Sequence, residues 1–148
     1  MIQPVSKQVV RALRELAAEA PVNLRVNGDC MTPLLESGVM IQVIRQRFYW
    51  PGDPLVIHAA DGRLLGHRLL GFYPWARRLR WLTQADNARW PDAAVPAERI
   101  IGKICGGQCA PTLVRVPPAH RAKAILRFFL FILIRLGTLH RCVLARIS

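Results

Sequence analysis

The sequence predicts a mainly β domain, a curled sheet or barrel, with a short N-terminal helix and a basic, hydrophobic C-terminal helix. Three observations predict it. The chain has 148 residues, 52% hydrophobic and 20% charged, enough for one packed core and too apolar for general disorder. Between residues 22 and 116, short runs of period two alternate with turn signals such as Pro51-Gly52-Asp53 and Asp61-Gly62. The charge is segregated: all nine acidic residues lie between Glu15 and Glu98, whereas residues 99–148 hold nine basic residues and supply +9 of the net +12. Collagen-like, coiled-coil and low-complexity classes are excluded, because there is no fixed period, sustained heptad or biased tract.

Residues 4–20 read as a helix. Val9, Val10, Leu13, Leu16, Ala17 and Ala20 follow helical spacing, Pro4 suits a first turn, and Pro21 ends it. A helix-turn-helix module needs about three helices, and the strands begin too soon for them. From Val22 the period becomes two: Val22, Leu24 and Val26 alternate with Asn23, Arg25 and Asn27. Further strands are predicted at 39–44, 54–58, 63–72, 78–83, 99–105 and 112–116. Asp61-Gly62 pairs 54–58 with 63–70 as a hairpin.

Pro117-Pro118 marks a boundary. The chain therefore divides into an N-terminal helix (1–21), a β core (22–116) and a C-terminal helix and tail (117–148). Within the last segment, 119–136 reads as a helix. Arg127 and Arg135 leave seven uninterrupted apolar residues between them, where a membrane span needs about twenty. Arg121, Lys123, Arg127, Arg135 and Arg141 share one half of the helical wheel. That fits a helix lying in a membrane interface, and equally a helix packed on the barrel with its arginine stems snorkelling.

Four cysteines (Cys30, Cys105, Cys109 and Cys142) do not make a disulfide scaffold in a chain of this length, and Cys105 and Cys109 lack zinc-ligand spacing. No metal or cofactor is expected. The N-terminus lacks the apolar region of a secretory signal, so the expected location is cytoplasmic, with a peripheral place on the inner face of the membrane open to the basic helix. An anionic membrane or an acidic protein is the expected partner of that helix. Specific nucleic-acid binding, which would show steep salt dependence, is not expected, because no recognised motif is present.

The reactive side chains are few. Cys30 follows a strand in Gly28-Asp29-Cys30-Met31-Thr32-Pro33, His67 sits mid-strand in Leu65-Gly66-His67-Arg68-Leu69, and Asp86 and Asp92 lie in the irregular stretch 84–92. Residue types alone permit Cys-His-Asp as one of several sets, and read a lone cysteine or strand histidine more often as core. His58 is a rival base at the exposed end of its strand; His120 and His140 are expected to face solvent. The aromatic residues Phe48, Tyr49, Trp50, Phe72, Tyr73, Trp75 and Trp81 read as core packing more readily than as a peptide cleft.

Local wording adds a resemblance. Residues 28–104 resemble the catalytic core of the signal peptidase superfamily, which also holds the self-cleaving SOS-response repressors. Gly-Asp-Cys30-Met-Thr-Pro is similar to its Ser-Met-x-Pro box, with cysteine for serine. Trp50-Pro51-Gly52-Asp53-Pro54-Leu55-Val56-Ile57 resembles its Gly-Asp-x-Val strand, and Gly66-His67-Arg68-Leu69 the His-Arg-Val box of the endoplasmic-reticulum and archaeal type. Thr83-Gln84-Ala85-Asp86-Asn87 with Asp92 resembles that type's Lys-Gly-Asp-Asn box and following aspartate, and Ile100-Ile101-Gly102-Lys103-Ile104 its closing strand.

The resemblance implies a signal-peptidase-like curled sheet and a peptidase acting on an extended peptide or protein. Cys30 would be the nucleophile, His67 the base, Asp92 the acid that orients the imidazole, and Asp86 a brace. The Ser-Lys branch of the superfamily is closed to this chain, because no lysine occurs between Lys7 and Lys103. An ordinary thiol is only about 3% thiolate at neutral pH, a fraction that an imidazolium neighbour raises. Gly28 stands where many signal peptidases carry an oxyanion-binding serine, which leaves that task to backbone N–H groups. A catalytically inactive member of the fold, acting as a binding or regulatory module, is the alternative.

Overall fold

The computed structural model describes residues 4–25 and 30–144, with side chains through residue 137. Helix α1 (Lys7–Glu19) starts where the Ser6 hydroxyl accepts from the Val9 N–H, one turn later than Pro4, and ends before Pro21. Val10 and Ala17, two turns apart, are its buried residues. The strands that follow are β1 (Val22–Arg25), β2 (Met40–Ile44), β3 (Pro54–His58), β4 (Leu64–Trp75), β5 (Arg78–Gln84), β6 (Val95–Pro96) and β7 (Ile100–Gly107). Among the described residues they form one antiparallel sheet in the order β1-β2-β7-β3-β4-β5-β6, curled into a half-barrel. The chain is therefore mainly β with a few helices, and the expected alternation at Val26 and Asn27 lies outside the described residues.

The Asp61-Gly62 hairpin forms as its chemistry requires. Gly62 takes φ +86°, and the Asp61 carboxylate accepts from the Arg63 backbone N–H at 3.1 Å. The β4–β5 hairpin runs three residues past the expected end at 72 and turns through Ala76 and Arg77, both at positive φ (49° and 62°). Neither is the glycine or asparagine that such a turn prefers, so no local signal marked it.

Two further elements depart from expectation. Residues 112–116 do not form a strand: α2 (Pro111–Val114) is a single helical turn with Pro111 opening it and Leu113 fully buried. The C-terminal helix α3 runs longer than 119–136, over Pro118–Leu144, beginning at the Pro117-Pro118 boundary. No helix among the described residues is long and apolar enough to cross a membrane.

The core has two larger clusters and a smaller third. Met31, Leu35, Ile41, Val43, Val56 and Ile101 pack with Val10 of α1 on one face; Leu55, Ile57, Leu69 and Ile100 form the second. The third is made by Leu70 and Leu82 against Ala124 of α3. There Phe128 lies directly on Gly71, where a Cβ would meet its ring carbons at 2.6–2.9 Å.

Candidate active site

Strand β4 organises the site. It pairs with β3 in the register Leu55↔His67 and Val56↔Gly66, while its pairing with β5 begins only at Arg68↔Gln84. Leu69 exchanges backbone hydrogen bonds with the 52–53 turn, so the odd-numbered residues 65, 67 and 69 bond toward β3. Leu64 and Gly66 consequently aim their N–H and C=O groups at the other edge, which among the described strands has no partner there.

His67 is 5% exposed and sits between Leu65 and Leu69 on the face that carries the second core cluster. Asp92 reaches it: Nδ1 and Oδ2 lie 2.7 Å apart. The ring N–H is not aimed along that line, so the pair has the distance of an ion pair without the alignment of a hydrogen bond. Asp92 is fixed from behind by its own N–H, which donates to the Thr83 carbonyl at 2.9 Å. The loop carrying it is braced by buried Gln84, whose Nε2 donates to the Ala88 carbonyl at 2.7 Å.

Asp86 does something else. It takes two hydrogen bonds from Arg68, at 2.7 Å (Nε) and 2.6 Å (Nη2), and the third guanidinium nitrogen donates to the Gly52 carbonyl at 2.8 Å. The two candidate acids are thus separated by geometry: Asp92 meets the imidazole and Asp86 braces the strand through Arg68.

Cys30 opens the turn 30–35, half-buried against the first core cluster. Its neighbour Met31 is buried and lies over Gly66, with Sδ 3.3 Å from where a glycine Cβ would stand. Cys30 is therefore one residue from a contact whose other side is one residue from His67. Two hollows flank this crossing. One, of about 30 Å³, is lined by Leu24, Ile41, Val56, Leu64 and Gly66; the other, of about 200 Å³, by Thr32, Pro33, Arg68, Gln84, Asp86 and Lys123. Gly28, which the resemblance aligns with an oxyanion-binding serine, lies outside the described residues.

Several expectations need correction. His58 is not exposed: it is 9% accessible, and its Nε2 lies 3.1 Å from the Val5 carbonyl, holding the segment before α1. His120 does not face bulk solvent but is half-buried beside the larger hollow. The aromatic residues divide: Tyr49 and Trp81 pack edge to face in the core, whereas Phe48, Trp50, Phe72 and Trp75 are exposed. The side chain of His140 lies outside the described residues.

The sequence reading missed a buried charge cluster. Asp53, fully buried, accepts from the Trp50 N–H at 2.9 Å and meets Lys103 at 3.0 Å and Arg121 at 3.1 Å. Its only advance signal was its place in the Gly-Asp strand. This cluster ties β7 and the start of α3 to the turn under Arg68, since Arg121 also donates to the Pro51 carbonyl.

Cys105 and Cys109 are thiols, each pushed above the usual thiol range by burial. Among the described residues no three His, Cys, Asp or Glu converge on a metal-binding group. Comparison with protein-family models finds no match, and no curated protein matches the chain.

Proposed function

We propose that this chain is a peptidase of the signal-peptidase-like superfamily, with a Cys-His-Asp site in place of Ser-His-Asp. The observation that carries the reading is the 2.7 Å contact between His67 and Asp92, two residues 25 positions apart that meet at a buried imidazole. A third group that orients a base is what nucleophilic catalysis asks for.

In this reading the Cys30 thiol and the imidazole meet around the edge of β4 that no described strand pairs. The substrate lies along that edge in extended form, bonded to Gly66 and Leu64. The apolar hollow beside Gly66 suits a small side chain next to the scissile bond, at about 30 Å³. His67 takes the thiol proton, Sγ attacks the carbonyl carbon, and the proton passes to the departing amine. Water, deprotonated by His67, then hydrolyses the thioester and returns the thiol. Asp92 holds the proton on Nδ1 so that Nε2 does the exchange.

The test is acyl-enzyme trapping. The full chain is incubated with a library of extended peptides, quenched in acid, and read by intact-mass and peptide-level mass spectrometry. A thioester on Cys30, absent in Cys30→Ala and persistent in His67→Gln after slow formation, supports the reading. Peptide binding without any adduct or cleavage favours the second reading, a binding module of the same fold. One observation speaks for that alternative: Cys30 packs against an apolar cluster, as an inert core thiol does.

A further inference from the structure

We infer that the outer face of α3 is a docking surface for an anionic lipid bilayer, in which the helix lies flat at the headgroup level. The inference does not depend on the catalytic reading. At about 100° per residue, the side of α3 bearing Ala124, Phe128 and Phe131 meets the sheet. Leu126, Phe129, Leu130, Leu133 and Leu136 stand on the far side, each 50–65% exposed. Of the basic residues that share one half of the helical wheel, Arg121 and Arg135 are engaged on the inner side. Arg121 is held by Asp53, and Arg135 stacks over Trp75 with its Cζ 4.8 Å from the ring centroid. The helix therefore packs by its polar-flanked side and turns its apolar side outward, the reverse of a helix that merely covers a sheet.

Charge selects the occupant. No acidic residue occurs in 99–148, nor in 62–85, which includes the β4–β5 hairpin beside α3. That hairpin presents exposed Trp75 and Arg78 on the same face as α3, the pairing of an aromatic body with a cation that suits a membrane interface. A groove of about 640 Å³ between α3 and the 84–91 loop is walled by Trp90, Leu130 and Ile134 and rimmed by Arg89, Arg127 and Arg135. Three guanidinium groups around an apolar wall fit a phosphate headgroup whose acyl chains continue into the layer that receives Leu126 and Leu133. A second copy of the chain would bring the same positive field against itself and fits less well.

The test is sedimentation of the full chain with phosphatidylglycerol-rich vesicles, with phosphatidylcholine vesicles, and with Leu126→Ser/Leu133→Ser, whose replaced side chains are exposed and leave the core intact. The expected result is partition into the anionic vesicles at least tenfold above the neutral ones, weakened by salt, and reduced at least tenfold by the double substitution. Equal partition into both lipids, no partition into either, or insensitivity to the double substitution overturns the inference. So does a lipid-free dimer, seen by analytical ultracentrifugation, that the double substitution dissolves.

Discussion

Consecutive residues of β4, His67 and Arg68, each meet a carboxylate from the 84–92 stretch, on opposite faces of the strand, and the two pairs are built differently. Arg68 is bidentate to Asp86, and its remaining nitrogen is spent on Gly52, so every strong group in that pair has a partner. His67 and Asp92 are as close, at 2.7 Å, but misaligned, and Asp92 stays 35% exposed. A completed pair holds structure. In the proposed reading the incompletely aligned pair is the working one, since hydrogen bonds of catalytic groups often tighten only with substrate.

The largest effect should come from breaking the completed pair. Asp86→Ala strands a buried guanidinium, and stability should fall by about 3–5 kcal/mol in urea unfolding. Gly71→Ala comes next: a methyl group pressed into the Phe128 ring should cost about 1–3 kcal/mol and loosen α3, read by unfolding and by hydrogen exchange along 118–131. Asp92→Asn should change stability by less than about 1 kcal/mol, because the carboxylate is partly solvated, yet should slow Cys30 alkylation near neutral pH. If Asp92→Asn destabilises as much as Asp86→Ala, the contrast between the pairs is lost. The smallest effect concerns Cys105 and Cys109. Their thiols are held protonated by burial, so their alkylation should begin only above the ordinary thiol range and should not respond to His67→Ala.

Much of the β core was legible in the sequence because its signals are local. The Asp61-Gly62 turn and the alternation in 22–25 and 39–44 specify strands without help from distant residues. The β4–β5 turn was not legible, since Ala76 and Arg77 reach positive φ only because the two flanking strands impose it. Thr112-Leu113-Val114 reads as strand by composition, but Pro111 and the following prolines leave room for one helical turn that buries Leu113. In the candidate site, the resemblance proposed both aspartates and favoured Asp92. Their separation into two faces follows from the parity of His67 and Arg68 along β4, which becomes visible once the register is known. His58 was misplaced because its partner, the Val5 carbonyl, is 53 residues away.

In the proposed mechanism His67 activates Cys30. The most direct measurement is the rate of Cys30 alkylation by iodoacetamide against pH, read peptide by peptide in the wild type and in His67→Ala. An activated pair predicts fast alkylation well below pH 7 in the wild type and, in the variant, a return to the behaviour of a thiol with a pKa near 8.5, about 1.5 units or more higher. Superimposable profiles in the two proteins, or a Cys30 that reacts no faster than Cys105, would contradict it.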